Sequence, residues 1–422
     1  MASPRYARFA ALMLLASGCS EPGKQDQVVA PIAEYRISER PLVSIGVVKG
    51  EDAYQLFRVR SAVQLQSGVI VVANNGTSEL RYYDAQGRHL RTVGRPGDGP
   101  GEFRELWYAR AIRGDTVVTW DVGQRRVSYF DSNGDLAHSF TADLSEHQVH
   151  VGEHSIPAYP IEMVATWDGL LLFHAAAPSS VLSGLRSDGT HDPGAVADDG
   201  VYRLDYSLFS VDRTGSVVRA FGPVPAVEWF MSGGIRQFRF MGHWFYMAGG
   251  RQQFVIGSGK PYSYQVTSGS DGLRRVDTNI PARAISDEIW SRRIQRALPE
   301  SPSRDRIARL EAMPKPDTMP SYSALLLDDE DRVWIQEYDP DRSAIQYTVG
   351  VASDRSPEPA PAQRWSVFEL DGRQVGRLEL PANVRIMDIS RGRVIAVAED
   401  EFRVERVQVF SLERVPQMSN GQ

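Results

Sequence analysis

The stretch RVRSAVQLQSGVIVVANNGTSELRYYDAQGRHLRTVGRPGDGPGEF (residues 58–103) decides the fold, because it has the pattern of four short β-strands joined by tight turns. The turns fall at Ser67-Gly68, Asn75-Gly76 and Gln86-Gly87, where Gly and Asn tolerate the positive φ that hairpins need. A single four-stranded unit cannot bury both of its faces. We therefore expect further copies along the chain.

The same strand–turn–strand signature does return three times. The segment YYDAQGRHLRTV (82–93) is echoed by YFDSNGDLAHSF (129–140), and more loosely by LFSVDRTGSVVRAF (208–221) and VFELDGRQVGRLEL (367–380). Each copy places an apolar residue and an Asp before a turn that contains Gly. The repetition predicts an array of similar sheets.

Six units can be counted in this way. They are 58–103, 107–140, 161–222, 234–283, one that opens at Ser321, and 385–412. The last unit supplies only three strands, and residues 41–50 can supply the fourth, which would close the array into a circle. We therefore predict an all-β fold, a six-bladed β-propeller of four-stranded antiparallel blades, as a single domain over 41–415 with a flexible tail at 416–422.

One segment breaks the β pattern. Residues 287–313 have helical periodicity, and Ser286 is placed to cap a helix there. Pro299 and Pro302 divide the segment into two short helices. We predict a helical insert in the propeller, which could cap and gate its channel.

The loop GRPGDGPGEF (94–103) resembles the blade-to-blade loop of NHL-type six-bladed β-propellers. The chain from about 41 to 412 is similar to bacterial lipoproteins described only as six-bladed β-propellers. This resemblance implies an architecture and leaves the function open, since propellers host unrelated activities.

The N-terminus predicts export. Arg5 and Arg8 precede a short apolar run that ends at Cys19, which is the only cysteine in the chain. The segment resembles a bacterial lipoprotein signal, which implies a signal peptide at 1–18, lipidation of Cys19 and a tether over 19–40. The protein would then be secreted across the inner membrane and lipid-anchored in the cell envelope, at the outer membrane if the host has one. The alternative is an ordinary signal peptide with a chance cysteine.

Composition argues against a nucleic-acid partner. The formal net charge is −6, with 47 basic against 53 acidic residues, and no clustered basic face is evident. Four arginines, Arg110, Arg125, Arg126 and Arg203, could form anion-binding forks, or could simply pack between blades.

Propeller geometry predicts where a ligand would bind. Residues that follow the second strand of each unit should ring one mouth of the channel, and these are Asn74, Asn75, Asp121, His174, Glu337 and Asp400. Carboxylate and amide oxygens that converge there could hold Ca²⁺, which takes six to eight oxygen ligands. Alternatively, these side chains are the polar residues that turns ordinarily contain.

Three functions remain open at this stage: a sensor or scaffold whose channel the helical insert (287–313) caps and gates, and the following two. The first is a membrane-anchored binding or interaction scaffold for a protein, peptide or glycan, without catalytic residues or a cofactor; no Gly-x-Ser-x-Gly motif indicates a hydrolase. The second is a Ca²⁺-dependent hydrolase or lactonase, which the mouth residues would resemble if they bound calcium as in gluconolactonase-like propellers.

Overall fold

The chain forms curled, mostly antiparallel sheets with two short helices. The structure is a computed structural model that describes residues 32–151, 154–177, 198–278, 280–341 and 362–415. The predicted signal peptide, Cys19 and the predicted tail lie outside these ranges. Within them, no helix is both long enough and apolar enough to cross a membrane.

The opening stretch forms the first strand group as predicted. Its four antiparallel strands are β3 (Val59–Gln64), β4 (Ile70–Asn74), β5 (Glu79–Tyr83) and β6 (His89–Val93). Gly94 then begins the crossing loop with φ +85°, and an added Cβ there would lie 2.6 Å from the ring of Phe103. Phe103 is buried and packs on Phe130, with ring centroids 6.0 Å apart, so the loop fastens the first group to the second.

The second group repeats this pattern. It contains β7 (Leu106–Ile112), β8 (Thr116–Asp121), β9 (Arg126–Phe130) and β10 (Leu136–Thr141). A separate two-stranded sheet follows, made of β11 (Gln148–Val151) and β12 (His154–Pro157).

The third group is larger than the predicted four strands. It contains β13 (Tyr159–Ala165), β14 (Leu171–Ala176), β15 (Gly200–Val211), β16 (Val217–Ser232) and β17 (Ile235–Phe238). The β15–β16 hairpin is longer than β14, so its paired strands continue beyond the end of that neighbouring strand. The fourth group has the expected four strands, β18 (Tyr246–Gly249), β19 (Phe254–Gly257), β20 (Ser263–Thr267) and β21 (Arg274–Asp277).

The last two groups share one mixed, nine-stranded sheet, so the expectation of separate four-stranded blades does not hold there. The fifth group is β22 (Tyr322–Leu327), β23 (Val333–Glu337), β24 (Gln363–Phe368) and β25 (Gln374–Leu380). The sixth is β26 (Val384–Ser390), β27 (Arg393–Glu399) and β28 (Glu405–Val415).

Two N-terminal strands complete this sheet. Within 41–50, only β2 (Val43–Ile45) pairs with β28, which agrees with the expected closure by the N-terminus. A strand that the sequence analysis did not find, β1 (Ala33–Ile37), pairs antiparallel with β28 and parallel with β25. These residues fall in the range predicted as tether. They form a strand because the edges of β25 and β28 offer them backbone partners on both sides.

Apolar clusters join the groups in circular order. The first group packs on the second, and each later group packs on the next. Trp120 of the second and Phe173 of the third, for example, meet edge to face with centroids 5.1 Å apart. The sixth group returns to the first, since Val397 and Val407 share a buried cluster with Ile70. The apolar core therefore lies between neighbouring sheets.

The predicted insert forms two helices, α1 (Asp287–Arg296) and α2 (Arg304–Glu311). The hydroxyl groups of Ser286 and Ser303 accept hydrogen bonds from the third amide of each helix and so cap it. Ile294 and Leu310 pack with Phe230 of the extended hairpin. The insert thus packs against that hairpin.

Candidate functional site

The strand groups have two distinct ends. Turns between the first and second strands of each group lie at one end, here called the turn end. Crossing loops and the turns after the second strands lie at the other, here called the crossing-loop end. The six predicted mouth residues belong to the crossing-loop end.

Asn74 and Asn75 are buried, and the Asn74 side chain organises its own turn. The Oδ1 atom of Asn74 accepts a hydrogen bond from the Phe57 amide at 2.8 Å, and its Nδ2 atom donates to Thr77 at 2.7 Å. The backbone amide of Asn75 donates to the Arg58 carbonyl. These bonds tie the entry of β3 to the end of β4.

Asp121 plays the same role in the second group. Its carboxylate accepts hydrogen bonds from three backbone amides, those of Arg104 at 2.7 Å, Glu105 at 2.9 Å and Gln124 at 2.8 Å. An aspartate that holds three amides in this way fixes the crossing loop against the β8–β9 turn.

Glu337 and Asp400 have local partners as well. Glu337 forms an ion pair with Arg364 at 3.4 Å. Asp400 accepts from the amides of Phe402 and Val404 and pairs with Arg406 at 2.8 Å. These amide bonds, first that of Val404, hold the pKa of the Asp400 carboxyl below its usual range.

No hydrogen bond or ion pair joins any two of the six predicted residues, all of which lie in the described ranges. Those ranges also contain no group of three His, Cys, Asp or Glu side chains that could hold a metal ion. The geometry at this end therefore fits the role of these side chains in turns.

His174 alone sits among chemically unusual neighbours. Its Nδ1 atom is buried without a hydrogen bond and lies 3.6 Å from Oε2 of Glu162, which faces it across the β13–β14 pair. Its ring stacks on Tyr206 at 4.5 Å and meets Phe245 edge-on. Burial lowers the pKa of His174 to about 3 and raises that of Glu162 to about 7. Both groups are therefore held towards their neutral forms.

The turn end contains a cavity of about 190 Å³. The first-to-second strand turns of the groups meet around it, and the loops of all six contribute. Its lining includes Gln66, Asp115, Trp167, Arg251, Asp329 and Arg391, one from each group in chain order. Such a convergence places a polar cavity on the common axis of the sheets.

Aspartates tie two pairs of neighbouring turns around this cavity. Asp115, at φ +52°, accepts hydrogen bonds from the Gln66 and Ser67 amides at 2.6 and 3.0 Å. Asp331, at φ +59°, similarly accepts from the Arg251 amide at 2.6 Å. In both cases the carboxylate of one group holds the turn of the preceding group.

Arg391 connects the last group to its two neighbours. Its amide donates to Asp329 at 2.9 Å, and its guanidinium donates to the Gln64 and Leu65 carbonyls at 2.6 and 2.7 Å. Two backbone hydrogen bonds join the remaining neighbours. The amide of Arg113 in the second group donates to the Trp167 carbonyl in the third, and the amide of Trp167 donates to the Gly250 carbonyl in the fourth. Hydrogen bonds thus join every consecutive pair of groups at the turn end.

Arg110 is the predicted anion-binding residue that the structure places in the cavity lining. Its Nη2 atom makes a long hydrogen bond of 3.3 Å to the Gly250 carbonyl, and its Nε–H is buried without a partner. Arg126, by contrast, donates to the Gly99 and Asp98 carbonyls, and Arg125 lies over the Tyr159 ring. Sequence reasoning missed Arg251 and Arg391, since turn arginines look alike until the turns are brought together.

Comparisons with known proteins give only distant similarities. No protein-family model matches the chain, and no curated protein matches it in sequence. A member of the DUF4221 family from Bacteroides vulgatus is similar over 90% of this chain and 99% of its own, with 12% identity and a TM-score of 0.47.

Two other solved structures show similarities of the same order. A protein described as exported, from Bacteroides fragilis, gives 8% identity over 90% of this chain and 95% of its own, with a TM-score of 0.45. A gluconolactonase from Xanthomonas campestris gives 10% identity over 91% and 98%, with a TM-score of 0.39. These identities and scores are low, so they say nothing of this chain's ligand.

Proposed function

We propose that the protein is an exported, lipid-anchored binding protein that holds a small anionic group in its turn-end cavity. In this proposal the six strand groups are the blades of a closed propeller, and the nine-stranded sheet is two blades joined by β1. The observation that carries the proposal is the convergence of three arginines, Arg110, Arg251 and Arg391, on a cavity lined by turns from all six groups.

The formal charges around the cavity balance, so the guanidinium groups and not a net positive charge would hold an anion. Three arginines line it, Arg110, Arg251 and Arg391, together with three aspartates. Asp115 and Asp329 accept hydrogen bonds from backbone amides of neighbouring turns, which offset part of their charge. A carboxylate or phosphate in the cavity would pair with the guanidinium groups that line it.

The cavity volume limits what can bind. At about 190 Å³ it is smaller than the ~300 Å³ at which pockets for drug-sized ligands begin. It suits a single small anion or the acidic end group of a peptide or glycan. The hydrogen bonds between turns would hold the site in place before binding, which reduces the entropic cost of binding.

The proposal can be tested by thermal unfolding of the purified full-length chain in the presence of matched ligands. Glucuronate and glucose differ in one carboxylate, and inorganic phosphate and citrate extend the anion series. We expect the anions to raise the melting temperature by about 3 °C near saturation, and glucose to leave it unchanged.

Two variants locate the binding. Arg110→Gln removes one of the three guanidinium groups that line the cavity and should abolish the shift. Arg88→Gln removes an arginine whose side chain is 78% exposed at an outer turn, and should retain it. Absence of a shift with every anion, or a shift that persists in Arg110→Gln, would overturn the proposal.

The Ca²⁺-dependent hydrolase is the alternative carried over from the sequence. It would need carboxylates that converge on one point, whereas Asp121 is bonded to three amides of its own group. The residues at the crossing-loop end therefore support a Ca²⁺-dependent hydrolase less well than the cavity at the turn end supports anion binding.

A further inference from the structure

A second cavity lies between the fifth and sixth groups. Its volume is about 430 Å³, more than twice that of the turn-end cavity, with which it shares no lining residue. Strand β1 separates β25 from β28, and the cavity opens beside it. The end of β1 and the loop that follows form one side, and residues in or next to β25, β26, β27 and β28 form the others.

The floor of this cavity is apolar. Val384 and Phe410 are buried there, and both belong to the cluster that joins the fifth and sixth groups. Ile37 and Ala398 pack against the same cluster and remain partly exposed. The volume lies in the range of ~300–1,000 Å³ that is typical of ligand pockets. The cavity can therefore receive the apolar body of a small molecule.

The polar part of the lining is acidic. Three carboxylates, those of Glu39, Glu399 and Asp400, are set against one guanidinium, that of Arg406, which leaves a formal charge of −2. Arg406 is already used, since its Nη1 atom donates to Oδ2 of Asp400 at 2.8 Å. Within the described part of the chain, no hydrogen bond or ion pair engages the carboxylates of Glu39 and Glu399. The lining thus has spare acceptors above an apolar floor.

We propose that this cavity binds an organic cation, a primary amine that carries an apolar body. An ammonium group has three hydrogen-bond donors and no acceptor, so it would supply what Glu39 and Glu399 lack. The apolar body would cover Val384 and Phe410 and remove their surface from water. A carboxylate or phosphate would instead meet two unpaired carboxylates, which excludes the class of ligand proposed for the turn-end cavity.

Isothermal titration calorimetry of the purified full-length chain at pH 7.5 tests the charge requirement. Phenethylamine and 2-phenylethanol differ in one ammonium group, and 3-phenylpropionate carries the opposite charge. We expect the amine to bind at least about tenfold more tightly than the alcohol, and the carboxylate to give no binding at this site. Raising the NaCl concentration to about 0.5 M should weaken amine binding severalfold, because the two glutamates are exposed to solvent.

Three variants locate the binding. The double variant Glu39→Gln/Glu399→Gln should raise the Kd of phenethylamine at least about tenfold. Glu401→Gln removes an exposed carboxylate that follows the lining residue Asp400 without lining the cavity, and should change the Kd less than about twofold. Ala398→Phe, shown by circular dichroism to be folded, fills space above the floor and should abolish binding.

The proposal is overturned if phenethylamine gives no binding or binds no more tightly than 2-phenylethanol. It is also overturned if the double glutamine variant binds the amine as tightly as the unaltered chain does. Equal weakening in Glu401→Gln and in the double variant would show a general charge effect and would likewise contradict the site. None of these outcomes depends on whether the turn-end cavity binds an anion.

Discussion

Replacing Glu162 by Gln should make the protein more stable at alkaline pH. Glu162 lies opposite His174, and its carboxyl has a pKa of about 7 in the folded chain, against 4.5 as the ordinary value. The folded state thus binds this proton more tightly than the unfolded state. Stability associated with Glu162 is fully present below pH 4.5 and is lost as the pH rises through 7.

The size of the effect follows from the two pKa values. Their difference corresponds to about 3 kcal/mol once the carboxyl is ionised in both states. The Glu162 side chain keeps 24% of its exposure, so water recovers part of this cost and about 2 kcal/mol is a realistic expectation. The glutamine amide cannot ionise, and the Glu162→Gln variant should lack this pH dependence.

The assay is urea unfolding followed by tryptophan fluorescence at pH 5 and pH 8.5. Glu162→Gln should match the unaltered chain within about 1 kcal/mol at pH 5 and exceed it by about 2 kcal/mol at pH 8.5. Glu379→Gln changes an exposed carboxylate of β25 and serves as the control for the loss of a carboxylate. An unchanged gap between Glu162→Gln and the parent at the two pH values would refute the reasoning.

Three further predictions concern other parts of the chain. Asp331→Ala removes the acceptor of the Arg251 and Gln252 amides and should lower the free energy of unfolding by about 2 kcal/mol in urea; a loss below about 0.5 kcal/mol would show that the contact between these turns is dispensable. Millimolar Ca²⁺ should leave the melting temperature unchanged, and a rise that Asp121→Asn abolishes would instead favour the hydrolase. Cys19→Ser should move the protein from the detergent phase to the aqueous phase in Triton X-114 partition; partition of the unaltered chain into the aqueous phase would contradict lipidation.

Local chemistry made the hairpins predictable. In three of the four repeats the Asp before the turn accepts hydrogen bonds from amides two and four residues later, as Asp84 does from Gln86 and Arg88, and Asp131 does from Asn133 and Asp135. This pattern needs only a short segment, so the sequence carries it completely. The two helices were predictable for the same reason, because their caps and apolar positions are local.

Contacts between distant segments were not predictable in the same way. Strand β1 forms because it meets residues more than 340 positions away. The alternation of apolar and polar residues in AEYRI is compatible with a strand, but it does not say which strands AEYRI would pair with. His174 was chosen for its place at a strand end, but its chemistry depends on Glu162 and Tyr206, which follow from register and sheet packing. Arg110 was one of four equivalent arginines until the fold placed it beside an axial cavity.

The pairing of β1 with β28 has a consequence for the order of the chain. Glu34 lies opposite Val415, so the segments that enter and leave the described fold run side by side. A short linker between those segments, together with a cut in an exposed outer turn, would give a circular permutant with the same neighbours in every sheet. The closing strands could then be made internal to the chain, and the new chain ends could be moved to another sheet without altering the core.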